Sequence, residues 1–388
     1  MTKKSALGQF FTTNSDYILQ RLVEVLPQDE SLICVDPFAG NQDLLKWVKR
    51  HRHLAAREAF DIDPKSEDVE QRDSLLNPPN LTGRWVVTNP PYLAKNKCKD
   101  KTIFEKYEVD DLYKASLKML GGFGHDTKCE GGVIIVPVNF FSDRDKSLRQ
   151  WFFEQYAITF VNVFEEQVFE DTSYIVCAFG FRKIVPSMVT KHDSALSRDA
   201  AGHIKQRIEF NFFRGGKKFG TNRWRTSYDN GYLVGSQFFD TINRFSKDWT
   251  PGIRRLAEDQ PVPEDWFVSR LYLRAIDTGS DNGRIGLELR DEPFMAKCSD
   301  RTFATIVAEK SFSPEEESFI VEEFNRRLEE HRKSHQSMFL TNFRNSSKTY
   351  SRKRIDFMAA YKLIQAVYSQ YEGLPEEQMP SPIQDEEA

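Results

Sequence analysis

Four residues in one short run carry the most chemistry in this chain: Asn89, Pro90, Pro91 and Tyr92, inside VVTNPPYL (86–93). Two β-branched residues lead into Asn89, and two prolines follow it. Proline has no N–H to give a strand and restricts the residue before it. Asn89 is therefore expected at a strand's end, with a stiff turn behind it. An amide fixed there suits methyl transfer to an exocyclic amino nitrogen. The lone pair of such a nitrogen is delocalised into its ring, so it is a poor nucleophile, and it carries two N–H donors. The Asn89 side-chain oxygen and the Pro90 carbonyl can accept both. This draws the nitrogen toward tetrahedral geometry and localises its lone pair, and proline's rigidity supplies the preorganisation that such a step needs. Tyr92 is expected to stack on the flat base. A bare Asn-Pro-Pro is as often only a turn, so weight has to come from what precedes it.

Acids at successive strand ends precede it. VDPFAG (35–40) puts Asp36 and Gly40 after an apolar strand, and FDID (60–63) carries Asp61 and Asp63. QRDSLL (71–76) adds Asp73. In an open parallel sheet, ligands bind beyond the carboxyl ends of strands, where an acid can accept both hydroxyls of a ribose. Gly40 lets the backbone approach a ligand closely, and Asp73 can accept from an adenine amino group. Taken singly, each has an ordinary structural explanation as a turn, a helix cap or a solvated loop acid. Neither a GxGxxG fingerprint nor a Walker loop is present. A nucleoside without a bulky phosphate chain is indicated, which fits S-adenosyl-L-methionine better than NAD or ATP.

These residues need elements to position them. LICVDPFAG (32–40), AAREAFDID (55–63), RWVVTNPPY (84–92) and GGVIIVPVNFF (131–141) read as strands, the last of the continuous apolar kind found in parallel sheets. DLLKWVKRH, DDLYKASLKML (110–120) and LRQWFFEQYA read as helices, and ITFVNVFEEQVF and SYIVCAFGFRK as two further strands. Strands alternating with helices indicate an α/β sheet. Residues 186–208 are polar and poor in aromatics and read as a linker, so the expected division is 1–185, a linker at 186–208, a second domain at 209–371 and an acidic tail at 372–388. In that second domain SPEEESFIVEEF has Ser313 as N-cap, Pro314 in the first turn and Glu316 closing a capping box. Its acidic run is a helix's first turn rather than a catalytic acid pair. A last helix is expected within RIDFMAAYKLIQAVYSQY.

Composition sets the bounds. The chain has 388 residues, 31 of them Phe, enough for a packed core and for two domains. No apolar run is long enough to cross a membrane, and the first residues lack a signal peptide's apolar core. The five Cys are scattered without metal-ligand spacing, and the seven His show no HxxxH or HExxH, so no metal is expected. A reduced, cytoplasmic protein is the plain reading. Net charge is −4, but six of the acids lie in the last 17 residues, which hold no base, and the remainder is +2. A local basic face is compatible with that balance.

Over residues 7–183 the chain resembles the γ-type N6-adenine-specific DNA methyltransferases. The likeness rests on LGQFFTTNSDYI, VDPFAGNQDLL, AFDIDPK, RDSLL, VVTNPPYL, GGVIIVPVNFFSD and VFEEQVFEDTSYIVCAFGFRK, in that order. It implies a Rossmann-like S-adenosylmethionine-dependent methyltransferase fold followed by a mixed α+β target-recognition domain. Cofactor contacts are then implied for Phe11, Thr12, Thr13, Asp36, Pro37, Phe38, Gly40, Asp61, Ile62, Asp63, Asp73, Ser74 and Asn89, with S-adenosyl-L-homocysteine as product. Asn89, Pro90, Pro91 and Tyr92 are the implied catalytic motif, and Tyr92 and Phe169 would sandwich an extruded adenine. One departure stands out: AGNQDLL has Asn41 and Gln42 where the family usually carries a second small residue.

A base inside a duplex cannot reach such a pocket and must be flipped out, which calls for a surface that holds double-stranded DNA. FFRGGKKFGTNRWR offers Arg214, Lys217, Lys218, Arg223 and Arg225, and FRNSSKTYSRKR offers Arg344, Lys348, Arg352, Lys353 and Arg354. Such side chains neutralise phosphates and read base edges. The resemblance allows a cognate restriction endonuclease as partner and favours a monomer. Three other readings use the same residues: a glutamine methyltransferase acting on release factors, an RNA amino-methyltransferase, and a DNA-binding scaffold without catalysis. The first class usually has a helical domain ahead of the cofactor fold, which is not seen in this sequence.

Overall fold

Short apolar runs ending in an acid or amide build the centre of the molecule. β1 (Ile33–Asp36), β2 (Ala56–Asp61), β3 (Glu70–Gln71), β4 (Trp85–Thr88) and β5 (Gly131–Pro137) lie parallel. β6 (Tyr156–Phe164) and β7 (Val176–Lys183) complete the order β3-β2-β1-β4-β5-β7-β6, with β7 antiparallel to both neighbours. This is a Rossmann-like α/β sheet. From β1 the chain adds β2 and β3 on one side and then crosses to β4 on the other, so the strand order reverses between β1 and β4 and a crevice opens beyond their carboxyl ends. The sequence sets one tight contact there: a Cβ on Gly132 would stand 2.0 Å from the Val86 carbonyl oxygen, so only glycine lets β5 pair with β4.

The computed structural model describes residues 14–28, 30–142, 145–169, 175–189, 196–198, 202–225, 252–277, 284–343 and 352–371, without the side chains of Lys146, Arg225 and Phe343. Phe11, Thr12, Thr13, Arg344, Lys348 and the acidic tail lie outside these residues. Helices in the first half are α1 (Ser15–Ile18), α2 (Asp43–His51), α3 (Thr102–Lys106), α4 (Leu112–Leu120) and α5 (Lys146–Phe153).

The sheet does not stop at β7. β8 (Leu196–Arg198) pairs with β9 (Ile204–Arg214), β9 runs parallel to β6, and β10 (Lys217–Arg225) closes an antiparallel hairpin on β9. Gly215 and Gly216, with φ of 59° and 73°, supply the two-residue turn. The described residues thus form two units, 14–225 and 252–371. The polar segment at 186–208 lies inside the first unit, not at its edge. Its composition is that of a connection, but the alternating apolar residues of β9 bury Ile204, Ile208, Phe210 and Phe212 against the sheet.

In the second unit β11 (Ile253–Arg255), β12 (Phe267–Arg274), β13 (Gly286–Leu289) and β14 (Phe303–Ala308) form an antiparallel sheet ordered β11-β14-β12-β13. α6 (Pro314–Ser334) starts with the expected capping box, Ser313 and Glu316 bonding each other's backbone. α7 (Phe357–Tyr371) shares one core with α6 and the sheet, through Ile320, Phe324, Leu328, Ile364 and Val367. β15 (Thr341–Phe343) and β16 (Arg352–Arg354) form a separate ribbon.

Candidate active site

A cleft of about 220 Å³ lies at the carboxyl ends of β1, β2 and β4. Asp36, Phe38, Gly40, Asp61, Ile62, Asp73, Ser74, Asn89 and Pro91 line it, so the residues singled out in four separate stretches meet in one place.

Asp36 ends β1 and is 1% exposed. Its Oδ1 accepts from Thr88 Oγ1 at 2.7 Å and from the Phe38 N–H at 3.1 Å. Burial dominates and pushes its pKa up to about 7, against these two donors. Asp61, at the end of β2, takes the Gly40 N–H on Oδ2 and the Asp63 N–H on Oδ1, both at 2.8 Å. It therefore fixes the loop after β1 while facing the cleft. Ser74 Oγ donates to the Pro37 carbonyl at 2.8 Å and ties that loop to the third acid segment. Asp73 accepts the Leu75 and Leu76 N–H groups on Oδ1 at 3.0 and 3.1 Å, and Oδ2 takes no hydrogen bond among the described residues. Ile62 is 42% exposed, an apolar surface presented to the cleft.

Asp63 stands elsewhere than the sequence suggested. It does not line the cleft; its carboxylate pairs with Lys65 at 2.6 Å. Gln42, in place of a small residue, adopts φ 60° and ψ 25° ahead of α2 and is 4% exposed. Its Nε2 donates to Ser66 Oγ at 3.0 Å and to Asp68 Oδ1 at 2.8 Å. These bonds hold a left-handed conformation that costs a residue with a Cβ roughly 1 kcal/mol.

Asn89 follows β4 and reaches the cleft. Tyr92 does not. Its ring is 2% exposed and meets Tyr113 edge-on at 6.4 Å. Its hydroxyl lies against Asn89 Oδ1 and, at 3.0 Å, the Ile135 carbonyl. A phenol buries readily when its polar tip finds such partners. Phe169 is likewise covered, at 3% exposure. Neither ring faces open space, so the expected sandwich is not formed in this conformation.

Sequence reasoning missed what holds the loop behind the motif. Asp111, the N-cap of α4, accepts the Leu93 N–H at 3.2 Å, and Leu112 N–H donates to the Leu93 carbonyl at 3.1 Å. Burial pushes Asp111 up to about 6. An Asp before a helical run was the available signal. Next to it Asp145, buried, takes Tyr113 O–H and the Lys114 ammonium. The far wall of the cleft, including Ile103, Phe104 and Leu112, was also unforeseen.

The basic residues divide. Arg214 pairs with Glu165, and Arg223 pairs with Glu209 at 2.8 Å. Lys217 and Lys218 are exposed and form no ion pair with the described residues. Arg352 donates Nε to the Asp277 carbonyl at 2.6 Å, and Arg354 borders a concavity in the second unit. Lys353 corrects the expectation most: it is 5% exposed, with Nζ on Asn342 Oδ1 at 2.7 Å, so it joins β16 to β15 and presents no charge to a phosphate.

No protein-family model and no curated protein sequence matches the chain. Among solved structures it is similar to a modification subunit of a putative type I restriction enzyme from Vibrio vulnificus, at 14% identity and TM-score 0.38, over 63% of this chain and 54% of that one. It is also similar to a putative class I S-adenosylmethionine-dependent methyltransferase from Listeria monocytogenes, at 15% identity and TM-score 0.34, over 47% and 60% of the two chains. A third is the type IIL restriction-modification enzyme MmeI in complex with DNA, at 10% identity and TM-score 0.39, over 96% and 73%. The chain thus spans between half and three fifths of the first two. The functional reading rests on the site itself.

Proposed function

We propose that the first unit binds S-adenosyl-L-methionine in this cleft and methylates N6 of an adenine flipped out of double-stranded DNA at a specific sequence. The observation that carries the proposal is the convergence of Asp36, Asp61, Asp73 and Asn89 on one cleft at the reversal point of the sheet. Asp61 suits the ribose hydroxyls, Ile62 the face of the adenine ring, and Asp73 Oδ2 its amino group. When bound, the cofactor supplies an electrophilic methyl group. Asn89 Oδ1 and the Pro90 carbonyl accept the two N–H bonds of the target nitrogen. The Tyr92 hydroxyl, placed against Asn89 Oδ1, fixes the side-chain amide's orientation, so Tyr92 is a positioning residue in this reading.

The test is expression in a methylation-deficient host, followed by sequencing for modified bases, which reports both the atom and the site. Asn89→Ala is expected to lower transfer at least about a hundredfold while cofactor affinity holds, as loss of an electrostatic partner in a preorganised site does. Normal turnover by that variant would sink the assignment. Tyr92→Phe keeps the ring and removes the hydroxyl; a several-fold fall in kcat at unchanged KM is expected, and full activity would leave only a packing role. Methylated protein or RNA with unmodified DNA would transfer the reading to another planar amide or amine.

A further inference from the structure

The second unit holds a concave site that the methyl-transfer reading does not use. It lies where β11, the loop before β14 and the start of α7 meet, and its volume is about 350 Å³, the size of a small-ligand site. Arg254, Arg255, Arg301 and Arg354 line it, with Asp356 as the single acid.

Gathered like charges need something to hold them, and for Arg254 and Arg255 the holders are not carboxylates. Arg255 donates Nη2 to the Cys298 carbonyl at 2.9 Å and Nη1 to the Asp300 carbonyl, and its guanidinium lies 5.4 Å from the Phe357 ring centre. Arg254 donates Nη2 to the Pro261 carbonyl at 2.6 Å and lies 5.0 Å from the Trp266 ring centre. Carbonyls and ring faces orient a guanidinium without cancelling its charge. Arg254, Arg255 and Arg301 form no ion pair with a carboxylate among the described residues. Asp356 is turned to the helix, where Oδ1 accepts the Met358 N–H at 2.9 Å.

Two further observations point to an anion. Arg254 Nε is buried with no hydrogen-bond partner among the described residues, a donor left over after the carbonyls are counted. The Tyr361 phenol, pushed up to about 12 by burial, is drawn down by Arg255 and, more weakly, by Arg254, against Asp356, so the arginine charges are felt inside the pocket. The positive end of α7 adds to the same field.

We propose that this pocket binds a phosphate group. Several arginines around one concavity suit a tetrahedral oxyanion, whereas a planar carboxylate takes one fork. The phosphate has two sources, the backbone of a nucleic acid or a small phosphorylated molecule. The proposal does not depend on methyl transfer.

The test uses the full chain. Inorganic phosphate is titrated against chloride at constant ionic strength, read by thermal shift, and a fluorescent DNA duplex is titrated by anisotropy across a salt series. Arg301→Glu alters an exposed side chain, and Arg254→Gln removes the buried donor. Both are first checked for unchanged melting without phosphate. We expect phosphate to raise the melting temperature of the parent, and each variant to need at least about fivefold more phosphate for the same shift. If the duplex displaces phosphate, and each variant weakens duplex binding and lowers the salt slope by about one contact, the source is a DNA backbone. If phosphate responds and the duplex does not, the source is a small phosphorylated molecule, and the site stands. Equal phosphate and duplex affinities in parent and Arg301→Glu overturn the proposal.

Discussion

Asp36 shows how a single residue is shaped by its place. It closes β1, packs under Thr88 and faces the cleft, and burial lifts its pKa from 3.8 to about 7. A carboxyl whose folded pKa lies above its unfolded value binds more protons in the native state. The native state is then favoured at low pH, and that advantage is lost as pH rises from about 4 through 7. Asparagine mimics the protonated acid and keeps an acceptor for Thr88 and Phe38. Asp36→Asn is therefore expected to melt relatively higher against the parent at pH 8 than at pH 5. A parent-to-variant difference that does not change with pH would show that Asp36 is not held in this way. The same comparison removes the other raised carboxyl, Asp111, from consideration, since it is present in both proteins.

At the scale of elements, the cleft depends on close pairing of β4 with β5. Gly132 faces Val86 across that pair, and an added Cβ would meet backbone at 2.0 Å, where no rotamer change gives relief. Gly132→Ala is expected to cost more than about 3 kcal/mol, among the rarer large effects of single substitutions. Chemical denaturation, or failure to accumulate as soluble protein, reads this out; wild-type stability would mean that the two strands separate more easily than their register indicates. The loop beyond β4 is held by α4 through Asp111 and Leu93, so a substitution in that helix can act on Asn89 without touching the cleft.

For the molecule as a whole, a net charge of −4 means that any hold on DNA comes from local arrangement rather than overall attraction. Ion pairing to Glu165 and Glu209 removes Arg214 and Arg223 from the free positive charge of the β9–β10 hairpin. Lys217 and Lys218, beside its turn, are exposed and form no ion pair with the described residues. Reversing both, Lys217→Glu with Lys218→Glu, is expected to weaken duplex binding about tenfold or more at low salt and to leave cofactor affinity unchanged. Duplex affinity equal to that of the parent across the salt series would remove this hairpin from the DNA surface.

The order of motifs along the chain determined much of this protein. Asp36, Asp61 and Asn89 were legible because each sits at a strand end, and the apolar runs before them fix where a parallel sheet places such ends; Asp73 was legible only from its place in the motif order. The capping box at Ser313 and the final helix were legible because both are local. What local pattern could not decide was partnership across the chain. β9 reads as the start of a new domain, yet its apolar face completes the first sheet beside β6. Lys353 reads as a surface base, yet pairing of β16 with β15 buries it. Tyr92 reads as an exposed platform, yet the Ile135 carbonyl on β5 gives its hydroxyl a partner inside. In each case burial was set by a neighbour distant in sequence, and only the tertiary structure brings that neighbour close.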